Sequence, residues 1–272
     1  MTAYELMIKT NHYLIQGGTL SDAQKNTVTE QLLSARNSPE QARRFYVGVK
    51  YPGNTDTAGR RMYPMYFIPS YNDGKKYKTV LNQIPKTHIL SANMYELEII
   101  RLLHLLSPNH PDVKQMVDGT LARLKTTCFG NDDDGVGECF DTSLVILRFL
   151  ATVSPHDIFR LRARMDNFNK HYRDRKRPWY PLWYYWLCLS EMPFEIAKPD
   201  LDRYKPEMVN WLANKSAVMN NEYDKLIHPV LFSILRNALC RYDEFAYIKD
   251  RKPFVNEKDG RLYFNMKKED HT

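Results

Sequence analysis

Five carboxylates crowd one short stretch of the chain: Asp132, Asp133, Asp134, Glu138 and Asp141. Carboxylates held this close raise one another's pKa, so one stays protonated as a general acid while a neighbour acts as base. The residues expected to carry such catalysis are Glu138, Asp141 and Asp134. The oxygen-rich run Asp132, Asp133, Asp134 also suits magnesium, a hard cation that takes oxygen ligands. Its spacing does not match an EF-hand loop, and no other cofactor is expected. The alternative is a solvated acidic turn whose charge favours the start of a helix.

A second group is aromatic. Trp179, Tyr180, Trp183, Tyr184, Tyr185 and Trp186 fall within eight residues. Tyr180 and Tyr184 are four apart and share a helix face, with Trp183 beside them. Such rings would line a cavity floor and grip a sugar, a cation or an apolar chain. His228, which opens an apolar helix just before Pro229, and Tyr95 are expected to join them in binding substrate. Ordinary core packing is the competing reading for the aromatic group. No histidine stands in a His-x-x-x-His or Glu-x-x-His pattern, so a zinc site is not indicated.

The third group is basic. Arg160, Arg162, Arg164, Lys170, Arg173, Arg175, Lys176 and Arg177 are set against Asp166 and Asp174. They could meet phosphates, or form the solvated side of an outer helix. No Walker, Rossmann or Gly-x-Ser-x-Gly motif is present, which removes the commonest nucleotide-dependent and serine-hydrolase readings.

These residues must be positioned by helices. Four apolar segments begin about 42–48 residues apart: Met94 to Leu106, Gly137 to Leu150, Trp179 to Leu189 and Ile227 to Leu239. Each reads as a buried helix. Between them run amphipathic stripes: Val113, Met116, Val117, Leu121 and Leu124; then Ile158, Leu161, Met165 and Phe168; then Leu201, Tyr204, Met208 and Leu212. Pro111, Pro155 and Pro199 stand where each stripe begins, as a proline suits a first helical turn. Ala3 to Ile8 echoes Met94 to Ile99, with a partner helix from Ser21 to Ala35 capped by Ser21 or Asp22.

The expected fold is therefore mainly α, a single domain over 1–272 built of repeated helical hairpins. About six units of about 45 residues would close a ring, so an α/α toroid is favoured, with an open α-solenoid as the alternative. Asp-Gly pairs at Asp73-Gly74 and Asp259-Gly260 predict short β-hairpins within Met62 to Leu81 and Phe254 to Met266.

The stretch from Asp134 to Leu150 resembles a repeat of the prenyltransferase and terpene-cyclase α/α-toroid superfamily, through Gly135, Gly137, Asp141, Thr142 and Leu147. The resemblance implies a toroid with inner apolar helices. Two departures limit what it implies for activity. Asn131 to Asp134 lacks the leading aspartate of Asp-x-Asp-Asp, and Glu138-Cys139 lacks the Asp-x-Cys spacing of a zinc-binding prenyltransferase.

Three functions follow as expectations. The first is an enzyme using carboxylate acid–base chemistry on a terpenoid-like or carbohydrate substrate in an acidic and aromatic cavity. The second is a non-catalytic helical-repeat adaptor for a protein or peptide. The third, least favoured, is nucleic-acid binding. With 43% hydrophobic and 26% charged residues the chain is globular rather than disordered. Its net charge of +7 draws anions without choosing among them. No apolar run is long enough for a membrane span. The amino terminus lacks signal-peptide character, and the four cysteines form no CxxC pair. A cytoplasmic protein with reduced thiols is expected.

Overall fold

The computed structural model describes residues 1–38, 40–41, 64–69, 76–127, 130, 140–174 and 182–267, apart from the side chains of 140, 141 and 171–174. These residues are mainly helical. The helices are α1 (Ala3–Ile15), α2 (Asp22–Ser34), α3 (His88–Leu106), α4 (Pro111–Leu124), α5 (Phe140–Val153), α6 (Ile158–Asp174), α7 (Leu182–Glu191), α8 (Phe194–Asn214) and α9 (Glu222–Leu239). A 3-10 helix follows at Asp243–Ile248. Three short strands are β1 (Ala217–Val218), β2 (Phe254–Val255) and β3 (Arg261–Tyr263).

The chain divides into two compact units, and the division passes through α1. One unit holds Met1–Asn11 and Leu20–Pro181; the other holds His12–Thr19 and Leu182–Thr272. In the first unit α3 packs against α2, α4 and α5, and α5 against α6. In the second, α7 packs against α8 and α9, and α9 also meets α8, β1 and the 3-10 helix. The apolar helices α3 and α5 thus meet each other in one unit, as α7 and α9 do in the other. Leu97, Ile99, Ile100 and Leu102 on α3, and Leu187, Leu189, Ile234 and Leu239 in the second unit, are fully buried. Each such side chain contributes roughly 1.5–3 kcal/mol of hydrophobic stabilisation.

Helix ends follow from local sequence. Ser21 caps α2: its hydroxyl accepts from the Gln24 backbone N–H, and the Gln24 side chain accepts from the Ser21 N–H. This reciprocal pair is a capping box. The Thr87 side chain caps α3 by accepting from the Leu90 N–H, and the Asn221 side chain caps α9 by accepting from the Asp224 N–H, each without the reciprocal bond. Pro111 begins α4 as expected.

Pro199 does not begin α8. The helix starts at Phe194 behind Pro193, and both Pro199 and Pro206 lie inside it. An interior proline costs about 3 kcal/mol through its lost N–H and its ring clash. Burial of Ile196, Leu201, Tyr204, Met208 and Leu212 along one face offsets that cost. On α6 the stripe begins one turn later than the sequence indicates. Leu161, Met165 and Phe168 are buried, but Ile158 is exposed.

The hairpin at the carboxyl end is present. β2 and β3 pair antiparallel, Phe254 opposite Tyr263 and Val255 opposite Leu262, and β1 joins the far side of β3. Gly260 takes φ +66° in the turn, and its N–H donates to the Asn256 carbonyl at 2.8 Å. Most of the turn expected within Met62 to Leu81, including Asp73 and Gly74, lies outside the described residues; those described there form no strand.

Candidate functional site

Asp132, Asp133, Asp134, Glu138 and Tyr180 lie outside the described residues, and Asp141 is placed only as backbone in the first turn of α5. Among the described residues no group of three or more His, Cys, Asp or Glu side chains could hold a metal ion. Tyr95 is buried in the first unit, its ring edge-on to Tyr77 at 4.8 Å, and Tyr77 in turn stacks on Tyr4 at 4.5 Å. Burial raises the Tyr95 hydroxyl pKa well above the usual phenol value, so this residue is a neutral packing element at ordinary pH.

In the second unit Tyr184 is buried, and Trp183 is half-buried with its ring edge-on to Trp186 at 4.9 Å and Trp211 at 5.3 Å. His228 sits one helical turn from Asp224 on α9, Nε2 to Oδ1 3.6 Å. Of the basic stretch, Arg160 and Arg164 both direct a guanidinium at the carbonyl of Gly130, and Arg162 pairs with Asp166 at 3.1 Å. These arginines hold a turn and a helix face.

The second unit contains a cleft of about 450 Å³ that none of these residues lines. It is built from the end of α1 upward. The Gly17 N–H donates to the Leu14 carbonyl, and the Gly18 N–H to the Tyr13 carbonyl, both at 2.9 Å. With Gly17 at φ +88°, this is a Schellman ending, which needs a residue that tolerates the left-handed region. Tyr13 closes it. Its hydroxyl donates to the Thr19 carbonyl at 3.2 Å. A Cβ on Gly18 would meet three Tyr13 ring carbons at 2.5–2.6 Å; such equal distances put Gly18 against the ring's face.

Arg236 of α9 faces this turn and lines the cleft with Lys252, Thr19, Ser233 and two prolines, Pro229 and Pro253. Its Nη2 is the atom nearest to Gly17's missing Cβ, at 3.2 Å. Three neutral contacts fix the guanidinium: Nη1 to the Arg251 carbonyl at 3.0 Å, and Nε and Nη2 to Asn237 Oδ1 at 3.1 and 2.8 Å. Asn237 is itself oriented by donating to the Ile15 carbonyl at 2.7 Å. Guanidinium carries five N–H donors, so two remain. Arg236 is only 3% exposed, and among the described residues no carboxylate lies within ion-pair distance of it. Burial lowers its pKa; Cys240 and Asp250 act against that from further away. The adjoining carboxyl end of α1 favours a cation, yet a helix end supplies only a partial charge. A buried guanidinium without a full counter-charge carries a desolvation penalty of several kcal/mol. Ser233 is no donor to the cleft, because its hydroxyl is given to the Pro229 carbonyl at 2.7 Å.

Another polar system occupies the first unit. Glu96 pairs with Arg123, and Glu98 with Arg148, at 2.9 and 2.7 Å. Arg101 and Arg148 both donate to Asn11 Oδ1. All are buried. None of these, nor Arg236, was singled out by spacing. The available signal is simpler: each of Glu96, Glu98, Arg101, Arg148 and Arg236 is a charge set within a mostly apolar run of its helix.

No family model, curated protein or solved structure matches this chain. Among the described residues no helix is long and apolar enough to cross a membrane.

Proposed function

We propose that this protein is a binding module built of helical hairpins that receives an oxyanion group of its ligand in the cleft between the end of α1 and α9. The observation that carries the reading is Arg236: buried, pre-oriented by Asn237 and the Arg251 carbonyl, with two N–H groups unspent and no carboxylate paired to it among the described residues. A phosphate or carboxylate would complete the charge and accept from the planar fork, the geometry that suits guanidinium to oxyanions. Lys252 on the rim adds a second positive charge, and the Thr19 hydroxyl a further donor.

This shares non-catalytic binding with the adaptor alternative read from sequence, but the adaptor is expected to take a protein or peptide, and the ligand proposed here is an oxyanion in a cleft. The acid–base enzyme reading rests on Asp134, Glu138 and Asp141 as sequence alone. The hairpins α3–α4, α5–α6 and α7–α8 support a repeated α/α architecture; closure into a toroid is part of the proposal, and an open solenoid would give a longer maximum dimension in small-angle scattering. A cytoplasmic location fits Cys188 and Cys240, which stand as thiols and not as disulfides.

The test is thermal unfolding of the full chain with inorganic phosphate or sulfate against chloride at equal ionic strength. A ligand that binds only the folded state raises the melting temperature, and the stabilisation grows with the logarithm of its concentration once this exceeds the dissociation constant. Phosphate should stabilise the wild type, and Lys252→Gln should reduce the effect. Equal melting curves in phosphate, sulfate and chloride would refute the reading.

A further inference from the structure

We infer that the cleft's ligand is a phosphate monoester carried on a flat ring system, of the nucleoside 5′-monophosphate class, with the phosphate on Arg236 and Lys252 and the ring on Tyr13. The inference rests on the anion reading above and names the remainder of the ligand.

Three observations support it. First, Tyr13 is a prepared stacking surface. One ring face lies on Gly18, and the hydroxyl is tied to the Thr19 carbonyl at 3.2 Å. The ring still lines the cleft and is 47% exposed. A ring already held in place loses little rotamer entropy when a base stacks on it. Second, ring and cation are neighbours. Tyr13 packs on Gly18, and Arg236 on Gly17. Consecutive Cα atoms are about 3.8 Å apart, so ring and guanidinium share one stretch of cleft wall. Third, the cleft is larger than a bare inorganic ion requires. Pro229 and Pro253 offer apolar ring faces, and the cleft of about 450 Å³ is within the usual range for small-molecule and cofactor sites. No described carboxylate lines it, so only the partial charge of the α1 end opposes a phosphate, against the full charges of Arg236 and Lys252.

The experiment is calorimetric titration of the full chain with adenosine 5′-monophosphate, ribose 5-phosphate, inorganic phosphate and adenosine. The nucleotide should bind tightest. Tyr13→Ala should weaken it about tenfold, the scale of one base stacked on an aromatic ring, and weaken inorganic phosphate much less. Tyr13→Phe, which keeps the ring and loses the bond to Thr19, should retain most of the nucleotide affinity. Lys252→Gln should weaken the nucleotide and phosphate alike. Nucleotide binding no tighter than that of ribose 5-phosphate, or unchanged in Tyr13→Ala, would overturn the inference while the anion reading stands. Adenosine binding as tightly as its monophosphate would overturn the phosphate assignment. If none of the three phosphates binds, both readings fall together.

Discussion

Arg123 donates to Glu96 across 2.9 Å, with neither side chain more than 4% exposed. The other oxygen of the same carboxylate accepts the backbone N–H groups of Met65, Tyr66 and Phe67 at 2.7, 2.5 and 3.0 Å. One side chain on α3 thus ties α4 to a segment that has no regular structure of its own. The guanidinium completes the cluster by donating to Asn93 Oδ1 at 2.6 Å. Burying both charges is costly, and only the full set of partners offsets the cost. Glu96→Gln keeps the shape but leaves Arg123 without its counter-charge. It should lower unfolding stability by about 3 kcal/mol in urea titrations. Adding Arg123→Met to that variant should recover part of the loss, since an apolar replacement removes the stranded charge. An unchanged urea midpoint in Glu96→Gln would show that the pair does not hold the segment.

Asn11 of α1 plays the corresponding part beside Arg101, further along α3. Its amide oxygen accepts from Arg101 at 3.2 Å and Arg148 at 3.1 Å, while its amide N–H donates to the Met7 carbonyl at 2.9 Å. Arg148 also pairs with Glu98 at 2.7 Å. Asn11→Leu removes one acceptor shared by two buried guanidiniums. A loss of roughly 2 kcal/mol is expected, the scale of leaving buried donors unsatisfied. Asn11→Asp retains the acceptor and should be much less damaging. Equal stability of Asn11→Leu and the wild type would count against the network.

These two networks mark where sequence reading stopped. The apolar helices were legible because burial requires a run of Leu, Ile and aromatic residues, and α3, α5, α7 and α9 carry those runs. The Ser21 cap and the Asp259-Gly260 hairpin were legible because each depends on residues within a few positions of one another. The partners of Glu96 are not local: Arg123 comes from the next helix and Met65 to Phe67 from about thirty residues upstream. The cleft is harder still to read, since Arg236 and Gly17 meet only after folding. Periodicity reports which face is buried and says nothing about which charge another charge will find. Pro199 was misread for a related reason: a proline marks a helix start only when no earlier turn is stabilised by packing, and Ile196 and Ala197 are buried ahead of it.

Two glycines should respond to alanine for different reasons. A Cβ on Gly130 would lie 1.8 Å from the Leu124 carbonyl oxygen, so the backbone of the turn must move. That carbonyl ends α4, and Gly130 itself accepts from Arg160 and Arg164. Gly130→Ala should cost about 2–3 kcal/mol, the scale of overpacking. Gly260 has open space around it but φ +66°. Gly260→Ala should cost only about 1 kcal/mol, from the left-handed backbone alone. Gly260→Asn should cost less than Gly260→Ala, because Asn tolerates that region. Thermal unfolding of the three variants gives the order. A Gly260→Ala loss as large as that of Gly130→Ala would contradict it.

His104 gives the pH dependence its sign. It lies in the last turn of α3, where the helix end would favour the protonated ring. Burial opposes this and prevails: the pKa of His104 is held below its ordinary value, and its Nδ1 is buried with no hydrogen-bond partner among the described residues. The folded state therefore prefers the neutral imidazole. The unfolded chain protonates first as pH falls, near the ordinary histidine value of about 6.5. The contribution of His104 to stability is complete above that value and is lost as pH drops through it toward the folded pKa. The melting temperature should fall between pH 7.5 and 5.5, and His104→Asn, which cannot ionise, should remove part of that slope. If the His104→Asn profile runs parallel to that of the wild type over this interval, the destabilisation in acid comes from other groups.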